Sequence, residues 1–111
     1  MRSVQAGSGQ PGTIRIIAGR WRGRRLPVPD LPELRPTGDR IRETLFNWLA
    51  PVIVGARCLD LFAGSGVLGF ESGSRGAAEV VLVDRSREVT EVLEHESRRF
   101  NAQFMTIVCA D

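Results

Sequence analysis

Apolar residues recur in short blocks whose spacing changes along the chain. Ile14, Ile16 and Ile17 surround Arg15, and Leu26 and Val28 follow a glycine-containing stretch. That pattern predicts a β-hairpin over 14–29 turning near Gly19–Gly23. Ile41, Leu45, Trp48 and Leu49 fall at i, i+4, i+7 and i+8, one face of a helix from Asp39 to about Ala50. Asp39 is the expected N-cap, Pro51 the expected stop, and the apolar face is expected to pack on a sheet. Residues 57–61, 79–84 and 104–109 are short apolar runs that read as strands, the second a buried parallel one. A glycine turn at 62–66 opens a helix from about Ser65 to Gly76. A second helix, from about Ser86 to Asn101, carries the stripe Val89, Val92, Leu93 and Phe100. The expected fold class is α/β: an N-terminal β-hairpin and helix, then a partial doubly wound, Rossmann-like sheet with right-handed crossovers and strand order 3-2-1. Residues 1–13 are small and polar and read as a disordered tail; 14–34 read as a basic hairpin and loop, and 35–111 as the α/β domain.

Length and composition narrow this further. The 111 residues leave room for one small domain. No run approaches the ~20 apolar residues of a membrane helix, and the N-terminus has no apolar signal core, which points to a cytoplasmic protein. Cys58 and Cys109 fall in non-neighbouring strands and are expected as buried thiols without a disulfide. With His95 as the one histidine, on a charged helix, neither a structural zinc site nor any other metal is expected. Charge is unevenly spread. Residues 1–42 hold nine Arg against three acids, and residues 43–111 hold six Arg against ten acids. Arg20, Arg22, Arg24 and Arg25 surround Trp21 in the basic front half, a pattern suited to RNA through phosphate pairing and base stacking.

Candidate chemistry centres on Ala63-Gly64-Ser65-Gly66. Glycines at a strand-to-helix turn let a ligand approach the backbone, and the helix start offers free N–H groups. Asp60 ends the first strand, and Asp84 ends the second, 20 positions after Gly64. That is the distance at which an acid meets ribose hydroxyls in nucleotide-binding βαβ units. Gly64-x-Gly66-x-x-Gly69 also matches the dinucleotide fingerprint, so a nicotinamide cofactor stays open. Asp60 favours S-adenosylmethionine, because a carboxylate repels a pyrophosphate and attracts a sulfonium.

The segment Arg35-Pro36-Thr37-Gly38-Asp39-Arg40-Ile41-Arg42-Glu43-Thr44-Leu45-Phe46-Asn47-Trp48-Leu49 resembles the RsmD family of bacterial 16S rRNA guanine-N2 methyltransferases. So do Asp60 to Glu71, Ser74-Arg75-Gly76-Ala77, and Gly19-Arg20-Trp21-Arg22-Gly23-Arg24, so that the resemblance covers about residues 14–111. It implies a class I methyltransferase sheet, S-adenosylmethionine as donor, and a guanine of the small ribosomal subunit or its assembly intermediate as target. It places Asp60, Gly64 and Gly66 around the methionine part of the donor, Asp84 on the ribose, Asp111 near the adenine amine, and Thr37 and Arg40 in one wall of the pocket. The family's Asp/Asn-Pro-Pro-Phe/Tyr motif follows a fourth strand, and this chain stops at Asp111 before it, so no catalytic residue is assigned. The alternative is an RNA- or cofactor-binding fragment without turnover. Gly38 stands where a Thr is usual. Gly73 stands mid-helix where the family has an apolar residue, an expected cost of roughly 1 kcal/mol plus lost packing. In the complete fold the first strand pairs on both sides, so one edge of 57–61 is expected bare and prone to self-association.

Overall fold

A computed structural model describes residues 12–28 and 38–111. Thr37 and nearly all of the proposed tail lie outside them. The elements are β1 (Thr13–Arg15), β2 (Arg25–Pro27), α1 (Asp39–Ile53), β3 (Arg57–Asp60), α2 (Val67–Ser74), β4 (Glu79–Asp84), α3 (Arg87–Arg99) and β5 (Met105–Cys109). Strand β1, which takes in Thr13, pairs antiparallel with β2 through Ile14↔Leu26. The three later strands form one parallel sheet with β4 in the middle, Cys58 facing Val80 on one side and Met105 on the other.

Burial follows the strand order. Val80 and Leu82 of the middle strand are buried, α2 packs on them, and Val89, Leu93 and Phe100 close the core from α3. Gly69 lets α2 lie close, since a Cβ there would stand 3.1 Å from a Val80 methyl. Ser86 caps α3 by accepting from the Val89 N–H at 3.2 Å, and Arg98 and Arg99 occupy its last turn, where cations suit the helix dipole. Val92 is only half-buried.

Helix α1 departs from expectation in three ways. It runs through Pro51 to Ile53, because the proline falls in the last turn and the Asn47 carbonyl it leaves without a donor sits on an exposed residue. Its N-cap is Gly38, and the Asp39 carboxylate pairs instead with Arg42 and Arg15. It also turns a different face inward, burying Arg42, Phe46 and Ile53. Ile41 and Trp48, placed in the core by periodicity, are 65% and 75% exposed.

That rotation is fixed by a buried charge cluster. Glu71 lies on α2, whose residues are buried almost all round. Its Oε1 accepts from the Ile17 N–H at 2.9 Å and from Arg42 Nη1 at 3.1 Å. Its Oε2 accepts from the Ala18 N–H at 3.0 Å and from Arg75 Nε at 2.9 Å. Arg42 also donates to the Arg15 carbonyl at 3.0 Å. One carboxylate thus ties the hairpin, α1 and α2 together, and Arg42 must face inward to reach it, which turns Ile41 and Trp48 outward.

Trp21 completes the hairpin's attachment. It is 6% exposed, stacked on Phe104 with ring centroids 5.8 Å apart and set edge-on to Phe100 at 5.0 Å. The expected packing loss at Gly73 is corrected here: a Cβ there would stand 2.8 Å from the Phe104 ring, so the aromatic pair already fills the space. The thiols are corrected too. Cys58 is half-buried and Cys109 exposed, on strands separated by β4.

Among the described residues β3 pairs only with β4. Leu59 on β3 and Phe62 just past its end are 64% and 87% exposed. No helix among the described residues is long and apolar enough to cross a membrane.

Candidate cofactor cleft and nucleic-acid interface

The candidate site lies at the carboxyl ends of β3 and β4. Strand β3 ends at Asp60, and the chain bends through Leu61 to Gly66 before α2 begins. Gly64 and Gly66 have φ of 55° and 81°, and Gly66 is the helix N-cap. A Cβ on Gly66 would stand 2.5 Å from a Leu93 methyl, so both backbone sign and packing require glycine there. The Ala63 N–H donates to the Val83 carbonyl at 3.0 Å, which moors the turn to the end of β4. Ser65 is buried, its hydroxyl accepting from the Val67 N–H at 3.3 Å.

The acid at the end of β4 belongs to the same construction. Asp84 Oδ2 accepts from the Gly64 N–H at 3.0 Å, and Oδ1 from the Ser86 N–H at 2.9 Å. A carboxylate has about four lone-pair sites, so each oxygen retains acceptor capacity after these bonds. Asp60 is half-buried and its Oδ1 accepts from the Phe62 N–H at 3.3 Å. Burial pushes its carboxyl above the usual value; the Phe62 bond opposes this, and the nearby Asp84 charge adds to it. The two carboxylates thus share a field that a cation between them would relieve.

The remaining expected contacts spread out. Asp111 is exposed, one residue past the bond from the Ala110 N–H to the Asp84 carbonyl at 3.0 Å, at the same carboxyl end of the sheet as Asp84. Arg40 is exposed on the first turn of α1, and no hydrogen bond or ion pair among the described residues joins it to the glycine turn. No three His, Cys, Asp or Glu residues gather for a metal ion among the described residues. His95 is exposed.

The basic hairpin sits elsewhere. Its tip docks on the last residues of α2, where the Arg20 N–H donates to the Ser74 carbonyl at 2.9 Å, and against Phe104 just before β5. Those are the amino-terminal ends of the strands. The cofactor turn lies at the other end of β4, a strand of six residues, about 17 Å long at ~3.3 Å per residue. Trp21 is packed under rings and offers no free face to a base, so the stacking part of its expected role gives way to a structural one. Arg20 and Arg22 are exposed, Arg24 and Arg25 half-buried. Arg99 joins them, donating to the Arg25 carbonyl at 2.6 Å. Sequence spacing concealed it, because it lies 74 residues from its hairpin partner.

A glycine turn between two acid-tipped parallel strands, with helices crossing over them, makes this a Rossmann-like nucleotide-binding unit. The chain belongs to the RsmD family, matching over residues 14–111 the family described as Conserved hypothetical protein 95. It is 66% identical over 88 residues to "Ribosomal RNA small subunit methyltransferase D" of Escherichia coli, covering 79% of this chain and 43% of that protein. The protein of that name from Haemophilus influenzae is 52% identical over 94 residues, covering 85% of this chain and 48% of that one. The solved structure of the candidate methyltransferase yhhF from Escherichia coli superposes with a TM-score of 0.83 at 53% identity, over 90% of this chain and 53% of that one. The chain therefore spans about half the length of these relatives.

Proposed function

We propose that the chain forms the donor-binding part of an S-adenosylmethionine-dependent methyltransferase that modifies N2 of a guanine in 16S rRNA, on the small subunit or its assembly intermediate, in the cytoplasm. The observation that carries this reading is the pair Asp60 and Asp84 flanking a glycine turn already held by one of them. S-adenosylmethionine, when bound, supplies a methyl group on a sulfonium that is open to in-line attack. Asp84 would accept from the two ribose hydroxyls, with Ala63, Gly64, Ser65 and Gly66 lining the approach. Asp60 would face the cationic end, where a pyrophosphate of NAD would be repelled. Asp111 would reach the adenine amine, and Thr37 and Arg40 would close one wall. Positioning supplies most of what such a transfer needs, and these residues position the donor alone. The groups that grip the guanine are proposed to come from polypeptide matching the second half of the relatives.

A chimera tests this: residues 14–111 replace the matching stretch of the Escherichia coli relative. Transfer of labelled methyl to guanine N2 in small subunits lacking that mark is expected. A folded, donor-binding chimera without transfer would contradict it, and would favour a fragment that holds donor and RNA without turnover. The open β3 edge with Leu59 and Phe62 exposed is also our reason to expect that the 111-residue chain self-associates. Sedimentation should show mass rising with concentration; a strict monomer at both low and high concentration would refute it.

A further inference from the structure

We infer that Arg20, Arg22, Arg24, Arg25 and Arg99 form a preorganised patch that grips an RNA duplex by its phosphates, at the end of the sheet opposite the cofactor turn. This rests on the rRNA reading above and specifies how that RNA is held. Three of the five guanidinium groups lie on aromatic rings. Arg20 is 5.4 Å from the Trp21 centroid and 5.0 Å from that of Phe104. Arg24 and Arg99 lie over Phe100, at 3.8 and 4.8 Å. Further bonds fix them: Arg20 Nη2 donates to the Gly73 carbonyl at 3.2 Å, and Arg24 Nη2 to the Arg99 carbonyl at 3.4 Å. A guanidinium carries five N–H donors, and these bonds use one each on Arg20 and Arg24. Arg22 is exposed at the tip. Against this stands the buried Glu96, whose carboxylate takes Arg99 Nε at 2.7 Å and Nη2 at 2.6 Å, so one of the five positive charges is already paired.

The rings decide which form of RNA fits. Single strands are held largely by bases stacking on exposed aromatics. Here Trp21 and Phe100 are buried and the guanidinium groups cover the ring cluster from outside. What remains is planar, fixed positive charge, suited to phosphate rows whose spacing is set by a helix. Lying at the far end of β4, a strand about 17 Å long (~3.3 Å per residue), the patch would hold a duplex flank while the target base is presented at the glycine turn.

Fluorescence anisotropy with the 111-residue chain and an RNA duplex of about 16 base pairs tests this across a salt series. Arg22→Gln should weaken duplex binding about fivefold and lower the slope of log K against log salt by about 1. Arg24→Lys keeps the charge but removes the fork from Phe100. It should weaken binding about threefold with little change in slope, since the phosphate contact count is kept. Both variants binding within the error of the parent would overturn the inference. So would tighter binding of a single strand of equal length, or polyglutamate competing as well as RNA. Calorimetry of the parent chain with S-adenosylmethionine runs alongside. Donor binding with unaltered RNA affinity in both variants would defeat the patch alone; the expected RNA behaviour without donor binding would defeat the methyl-transfer reading alone.

Discussion

Glu71→Ala should leave the chain largely unfolded at room temperature. The substitution removes a carboxylate that serves four donors at once: two backbone N–H groups of the hairpin, Arg42 and Arg75. Arg42 and Glu71 are both 0% exposed, so the arginine left behind keeps Asp39 and the Arg15 carbonyl but cannot replace the lost carboxylate with water. Breaking a buried pair in this way costs about 3–5 kcal/mol. Each orphaned N–H adds roughly 1–3 kcal/mol. A small domain has about 5–15 kcal/mol in total. Replacing Glu71 and Arg42 together with Met separates the two contributions. The buried Arg42 guanidinium disappears, but Arg75 and the Ile17 and Ala18 N–H groups still lack the carboxylate that accepted from them. The double variant should therefore fold, with a urea midpoint between those of the parent and of Glu71→Ala. A Glu71→Ala chain whose unfolding curve overlays the parent's would remove the cluster from its central place.

The second large effect concerns donor affinity. Asp84→Ala should weaken S-adenosylmethionine binding at least 100-fold. Two hydrogen bonds to a charged carboxylate contribute roughly 1.5–3 kcal/mol each, and every ~1.4 kcal/mol is tenfold in affinity. The Gly64 N–H also loses its acceptor, which loosens the turn. Asp60 adds a pH dependence of known sign. Its carboxyl titrates above the ordinary value because it is buried, so in the absence of donor acidification lifts a penalty on the folded chain. Donor binding needs that carboxylate ionised. Affinity should therefore fall as pH drops into the range just above the usual carboxylate value, while the stability contributed by Asp60 does not fall with it. Asp60→Asn should abolish this pH dependence and bind weakly throughout.

Much of this is legible in the sequence. The α/β pattern from Arg57 onward shows because strands and helices there repeat at their own periods and are bounded by glycine or small residues. Asp60, Asp84 and the glycines declare themselves because the turn is local in sequence. What stayed hidden depends on distant pairs. Which face of α1 turns inward is decided by Arg42 meeting Glu71 across 29 residues, and an apolar stripe carries no sign of that. One signal is available: Glu71 stands in a helix of small and apolar residues with no polar face, so its carboxylate calls for buried donors from elsewhere in the chain. Trp21 reads as an exposed stacking residue among arginines until Phe100 and Phe104 are brought around it. Arg99 joins the hairpin for the same reason, through a contact no local window contains.

The most direct test is titration calorimetry of S-adenosylmethionine, and separately of NAD, into the parent chain and Asp84→Ala at neutral pH. Saturable binding of S-adenosylmethionine to the parent, at least 100-fold weaker in the variant, with no heat from NAD, is the expected result. Equal uptake of S-adenosylmethionine by both chains, or tighter binding of NAD, would contradict the account.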